Sequence, residues 1–114
     1  MITIEMLKEM GIDTKDGLAR CMNKEDFYFK MLKLGLNDEK FDTIEAVLGD
    51  KKMKEGFEMA HALKGVAGNL ALDPIYKPLS KLTELLRHKE DGDYLEIYKP
   101  AKEMRDKLLK LVNE

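Results

Sequence analysis

The chain has 114 residues, 44% apolar and 37% charged, a water-soluble globular composition that excludes a disordered or membrane-embedded polypeptide. Twenty Lys and Arg against 22 Asp and Glu leave a net charge of −2, which argues against a nucleic-acid-binding footprint and against a polybasic membrane anchor. The lone Cys21 excludes an internal disulfide and a thiolate metal cage and fits a reducing cytoplasm, while the opening Met1-Ile2-Thr3-Ile4-Glu5 has neither the basic flank nor the apolar stretch of a signal peptide.

Few prolines, no Trp and abundant Leu, Met, Lys and Glu predict an all-α chain, and no stretch alternates with the period of a strand. Thr3 or Ile4 to Met10 reads as a short opening helix closed by Gly11, and Asp13-Thr14 offers caps for a second short piece through Cys21. Asn23, followed by Glu25 and Asp26, caps a helix with Phe27, Met31 and Leu34 as its apolar stripe and Gly35 as its stop. Asn37-Asp38 opens the next, with Phe41, Ile44, Val47 and Leu48 on one face and Gly49 at its end. Asp50 caps a helix from Lys51 to about Leu72. Asp73-Pro74 starts another that carries Ile75, Leu79, Leu82 and Leu86. After the polar turn Lys89-Glu90-Asp91-Gly92, Tyr94, Ile97, Tyr98, Ala101, Met104, Leu108, Leu111 and Val112 line the last helix. Pro78 and Pro100 fall inside these last two patterns and are expected to kink or delay them. The simplest assembly is one domain, residues 1–114, folded as an antiparallel four-helix bundle preceded by short N-terminal helices.

In the stretch 51–72, Met53, Gly56, Ala60, Leu63, Ala67 and Leu70 are spaced 3-4-3-4-3, the buried seam of a bundle helix. His61, Lys64, Gly65 and Gly68 fall together on a second stripe, roughly 100° around the helix at about 100° per residue, on a flank that solvent reaches. Each interior glycine costs about 1 kcal/mol relative to Ala. Two readings offset that cost: the glycines admit a neighbouring helix, or they leave a bare strip through which another molecule reaches the His61 imidazole. A neutral imidazole, with an unperturbed pKa of about 6.5, is a competent nucleophile near physiological pH, and Lys64 at i+3 is placed to neutralise phosphoryl oxygens. Exposed nucleophile, adjacent cation and steric clearance are what phosphoryl transfer between proteins requires.

At these residues the run Ala60-His61-Ala62-Leu63-Lys64-Gly65-Val66-Ala67-Gly68-Asn69 resembles the signature of histidine-containing phosphotransfer (HPt) domains. The likeness extends loosely from Gly17-Leu18-Ala19-Arg20 and the Phe27-Tyr28-x-x-Met31-Leu32 segment, through Leu82-Thr83-Glu84 with Arg87, to the long final helix. The resemblance implies His61 as the phospho-accepting residue, Lys64 as its phosphate-stabilising neighbour, and Gly65 and Gly68 as clearance for a receiver domain. It departs from the family at Ala71-Leu72, where the family often has a glycine. The implied partners are response-regulator receiver domains and a sensor histidine kinase, with no cofactor, no metal, no nucleic acid and no membrane. The implied protein is a cytoplasmic, monomeric phosphocarrier.

Other readings of the same residues are poorer. Glu58-x-x-His61 has the spacing of a carboxylate-bridged di-iron ligand pair, but ferritin-like bundles need it twice and it occurs once. With His61 and His88 the only histidines, a zinc site lacks ligands. His88, in Arg87-His88-Lys89, reads as a solvated helix end. Met31, Met53 and Met104 lie on apolar stripes and read as core filling rather than as a pliable peptide-binding surface. No phosphate-cradling glycine loop or nucleotide motif is present, so the phosphoryl donor must be another protein. The competing function is a non-catalytic helical interaction module whose surface histidine is incidental. The start Met and the full complement of helices favour a free-standing protein.

Overall fold

The computed structural model describes residues 2–114. Met1, the first residue of the opening Met1-Ile2-Thr3-Ile4-Glu5, lies outside them. Every regular element among the described residues is a helix: α1 (Ile4–Glu9), α2 (Thr14–Arg20), α3 (Glu25–Leu36), α4 (Lys40–Gly49), α5 (Met53–Asn69), α6 (Asp73–Arg87) and α7 (Tyr94–Val112). No described helix is long and apolar enough to cross a membrane. Helices α4 to α7 pack in a ring, each on the next and α7 back on α4, while α3 lies along α7. The core is aliphatic with four buried aromatic rings, Tyr28, Phe41, Tyr94 and Tyr98. The Tyr98 hydroxyl donates to the Phe41 carbonyl at 2.6 Å, and burial pushes its pKa well up. The all-α expectation holds.

Three of the seven helices, α1, α2 and α7, start on a side-chain cap. Thr3 Oγ1 accepts from the Met6 amide at 3.1 Å, Asp13 Oδ1 from Asp16 at 3.1 Å and Asp93 Oδ1 from Glu96 at 3.2 Å. Helix ends follow one device used five times. The residue after the C-cap takes a left-handed conformation and the next amide reaches back to the carbonyl five residues earlier, as in Ile12 to Leu7, Asn23 to Leu18, Lys52 to Val47, Leu72 to Ala67 and Glu90 to Leu85. Only Gly11 (φ 86°) supplies a glycine there; Met22, Lys51, Ala71 and Lys89 adopt φ of 57°, 53°, 58° and 53° at a steric cost.

This device corrects several expected boundaries. Asn23 closes α2 rather than capping α3, and Asp50 is the C-cap of α4 rather than the N-cap of α5. Helix α5 stops at Asn69, not near Leu72, because Ala71 turns left-handed. Gly35 does not stop α3; a Cβ there would stand 2.8 Å from Leu70 Cδ1 and 3.0 Å from Val66 Cγ1, so its bareness lets the end of α3 meet α5. Neither internal proline delays its helix, since α6 and α7 start before Pro78 and Pro100 and run through them.

The stripe of α3 also differs from expectation. Tyr28, Leu32 and Leu36 face the core, while Phe27 is 38% and Leu34 61% exposed and Met31 is half-buried. The sequence offers two apolar stripes on this helix. Contact with other helices selects the one containing Tyr28, whose hydroxyl donates to the Leu70 carbonyl at 3.0 Å.

Candidate functional site

The seam of α5 packs as its spacing requires, with Gly56, Ala60, Leu63, Ala67 and Leu70 buried and Met53 half-buried against the core. Turning this face inward fixes the azimuth of the rest, because side chains on one helix are locked at 100° intervals. His61 and Gly65 are therefore exposed, and Lys64 and Gly68 half-buried. All four line one surface hollow of about 400 Å³. The stripe assembled from sequence is one place in space.

Three side chains order this surface. The Phe57 ring, one turn before His61, stacks on the imidazole with centroids 5.7 Å apart and planes at 27°. Arg87 of α6 lies over the same Phe57 ring, its guanidinium carbon 5.1 Å from the centroid. Lys64 Nζ stands over the Tyr76 ring on α6, 5.8 Å from its centre, a contact that favours placing the ammonium beside the hollow.

The two glycines differ in what they make room for. A Cβ on Gly65 would meet nothing within 4 Å, so no neighbouring helix explains its bareness. A Cβ on Gly68 would stand 3.3 Å from Tyr76 Cε2, so there the missing side chain also seats the Tyr76 ring. A longer residue at Gly68 would therefore gain helix propensity only by pushing on the Tyr76 ring. Gly65 is the clean position. Gly65→Gln should raise the melting temperature, since replacing an interior glycine by a good helix former contributes about half a kcal/mol. The same variant should take up phosphate from a phosphorylated receiver at least roughly tenfold more slowly, a loss of about 1.4 kcal/mol in transition-state stabilisation. Unchanged uptake in the stabilised variant would show that the bare strip serves no partner.

The rest of the hollow comes from segments the sequence reading did not assign to the site. Asp16 and Arg20 of α2 line it, together with Tyr76 and Asp73 of α6 and Asn69 and Ala71 at the end of α5. Arg20 Nε donates to Asp16 Oδ2 at 3.0 Å across one turn of α2, with the two side chains 51% and 47% exposed. Helix α2 is brought here by backbone chemistry: the Asp13 amide, at its N-cap, donates to the Ala71 carbonyl just past α5. Gly17 lets it sit against α3, since a Cβ there would fall 2.5 Å from the Tyr28 hydroxyl oxygen. The spacing of Asp16 and Arg20 at i, i+4 was visible in the sequence; their arrival beside His61 depends on that turn. His88, by contrast, is exposed at the C-cap of α6, 3.4 Å from Glu84 Oε2, and does not line the hollow.

Comparison with the curated proteins and with the solved structures gives no significant match. A family model described as the Hpt domain matches residues 34–113. That span begins in the last turn of α3, takes in α4 to α7 entire and covers well over half of the chain, so the protein belongs to the Hpt domain family.

Proposed function

We propose that this chain, one domain over residues 1–114, is a histidine phosphotransfer intermediate of a two-component phosphorelay. It takes a phosphoryl group onto His61 from a receiver aspartate or a sensor histidine kinase and passes it to another receiver. It works as a cytoplasmic monomer without kinase activity of its own. The observation that carries this reading is the joint opening of His61, Lys64 and Gly65 into one solvent-facing hollow in which Gly65 has no packing neighbour. A helical module with an incidental histidine has no use for that bare position.

In the transfer, the unprotonated ring nitrogen of His61 attacks the phosphorus of the receiver's acyl phosphate. An N–P bond forms, the P–O bond to the aspartate breaks, the aspartate departs as a carboxylate, and the ring loses its remaining N–H proton to solvent. The transferring group carries negative charge on its outer oxygens throughout, and most of the catalysis lies in placing and neutralising that charge. Lys64, oriented by Tyr76, supplies a cation one turn from the nucleophile.

The test is transfer from a phosphorylated receiver to the wild type and to Lys64→Ala. Loss of the ammonium should slow transfer about 10- to 100-fold, equivalent to roughly 1.4 to 2.7 kcal/mol, with receiver binding mostly intact. A wild-type protein that takes no phosphoryl group from any receiver or kinase would overturn the reading, and wild-type rates in Lys64→Ala would remove the lysine from it.

A further inference from the structure

Resting on the phosphotransfer reading, we propose that Arg20, on the N-terminal helix α2 outside the matched Hpt span, is a second phosphoryl-binding cation, held in reserve by Asp16 until His61 is phosphorylated. The family match starts at residue 34, yet α2 forms part of the wall of the hollow into which His61 opens. Two cations, Lys64 and Arg20, and two carboxylates, Asp16 and Asp73, line it, so the charged side chains other than His61 balance while the imidazole is neutral. A phosphoryl group on His61 breaks that balance by adding between one and two negative charges.

Arg20 is the group suited to respond. Its ion pair with Asp16 lies on the surface, with both side chains about half exposed, and such pairs contribute little. A guanidinium also presents its donors in a planar fork that matches phosphoryl oxygens two at a time, whereas Asp16 engages Arg20 through Nε at 3.0 Å. Exchange of the Asp16 carboxylate for the phosphoryl oxygens would therefore break only this one exposed ion pair. Lys64, over Tyr76, already supplies the first cation. Asp16 has two effects on the phosphorylated state: it competes for Arg20 and it repels the phosphoryl dianion. Arg20→Ala and Asp16→Asn should thus act in opposite directions.

The experiment uses the full chain carrying His88→Gln, so that His61 is the one histidine present, phosphorylated chemically with phosphoramidate and followed by phosphorus NMR across pH. A nearby cation favours the dianionic phosphoryl group. Removing Arg20 should therefore raise the group's proton affinity about three- to tenfold, moving the titration midpoint upward by half to one pH unit. Asp16→Asn should move it downward, and Arg20→Lys should restore part of the wild-type behaviour. A merely structural Arg20 would leave the midpoint where it is, so identical titrations in the wild type and Arg20→Ala overturn the proposal. A small donor modifies an accessible imidazole whether or not the protein serves a relay. An unmoved midpoint therefore counts against Arg20 alone, and failure of receiver-to-protein transfer counts against the phosphotransfer reading.

Discussion

His61→Gln is expected to abolish phosphate uptake from a phosphorylated receiver while leaving the fold intact. The imidazole is exposed, and its described contact is one face laid on the Phe57 ring. A glutamine of similar reach keeps the helix and covers part of the same ring, so unfolding should move by no more than about 0.5 kcal/mol, the usual range for a surface change. Chemistry, in contrast, loses its nucleophile entirely, since an amide nitrogen has no available lone pair for attack on phosphorus. Uptake that persists in a folded His61→Gln protein would transfer suspicion to His88, the other histidine in the chain.

The largest effect on stability is expected at Arg105. This residue sits on α7 between Ala101 and Leu108, 3% exposed, and ties three helices together. Its Nε donates to the Leu36 carbonyl at 2.7 Å, satisfying an orphan acceptor at the C-terminus of α3. Its two terminal nitrogens grip Asp42 in the first turn of α4 at 2.9 and 3.2 Å. Arg105→Met fills similar volume but strands the Leu36 carbonyl and removes the charge-assisted bonds, so it should cost about 3 kcal/mol. Loss of a fully buried ion pair would run higher, but the Asp42 side chain is 57% exposed and rehydrates once released. For a chain of this length the melting temperature should fall by roughly 10 to 20 °C. A fall of only a few degrees would show that the three helices do not depend on this residue.

Arg105 also implies a pH dependence. Its hydrogen bonds hold the Asp42 carboxyl below its ordinary value of 3.8. A depressed carboxylate stabilises the fold fully above the unfolded value, and that contribution fades as pH falls toward the lower, folded one. Wild-type stability should therefore drop below about pH 4, and Arg105→Met should show less of that drop. Equal acid sensitivity in both proteins would assign the effect to other carboxylates.

The contrast between α5 and α3 shows what a sequence of this kind reveals. On α5 the 3-4-3-4-3 spacing of Met53, Gly56, Ala60, Leu63, Ala67 and Leu70 marks one seam, so the exposed flank with His61, Lys64, Gly65 and Gly68 follows from periodicity. On α3, Phe27-Met31-Leu34 and Tyr28-Leu32-Leu36 are both consistent with a buried face. What decides is the hydroxyl bond of Tyr28 to Leu70 and the room left by Gly17, contacts that no local window contains. Boundaries failed for a related reason: four of the five left-handed helix exits use Met, Lys or Ala where glycine would have announced the end. Arg105 does leave a signal in the sequence, an arginine at core spacing between Ala101 and Leu108, with the acidic Asp42 near the predicted start of another helix. Asp16 and Arg20 showed only an i, i+4 spacing and, for Arg20, a loose family likeness; their place beside His61 is made by the turn that fastens Asp13 to Ala71.

The most direct measurement is the location of the phosphoryl group after incubation with a phosphorylated receiver. Mass spectrometry of peptides prepared at alkaline pH should find one phosphoryl group, on His61. The label should survive base and be lost in acid, as a phosphoramidate is. A label on His88, a carboxylate or a hydroxyl side chain, or none on a protein shown to bind the receiver, would contradict the assignment of His61 as the phosphoryl acceptor.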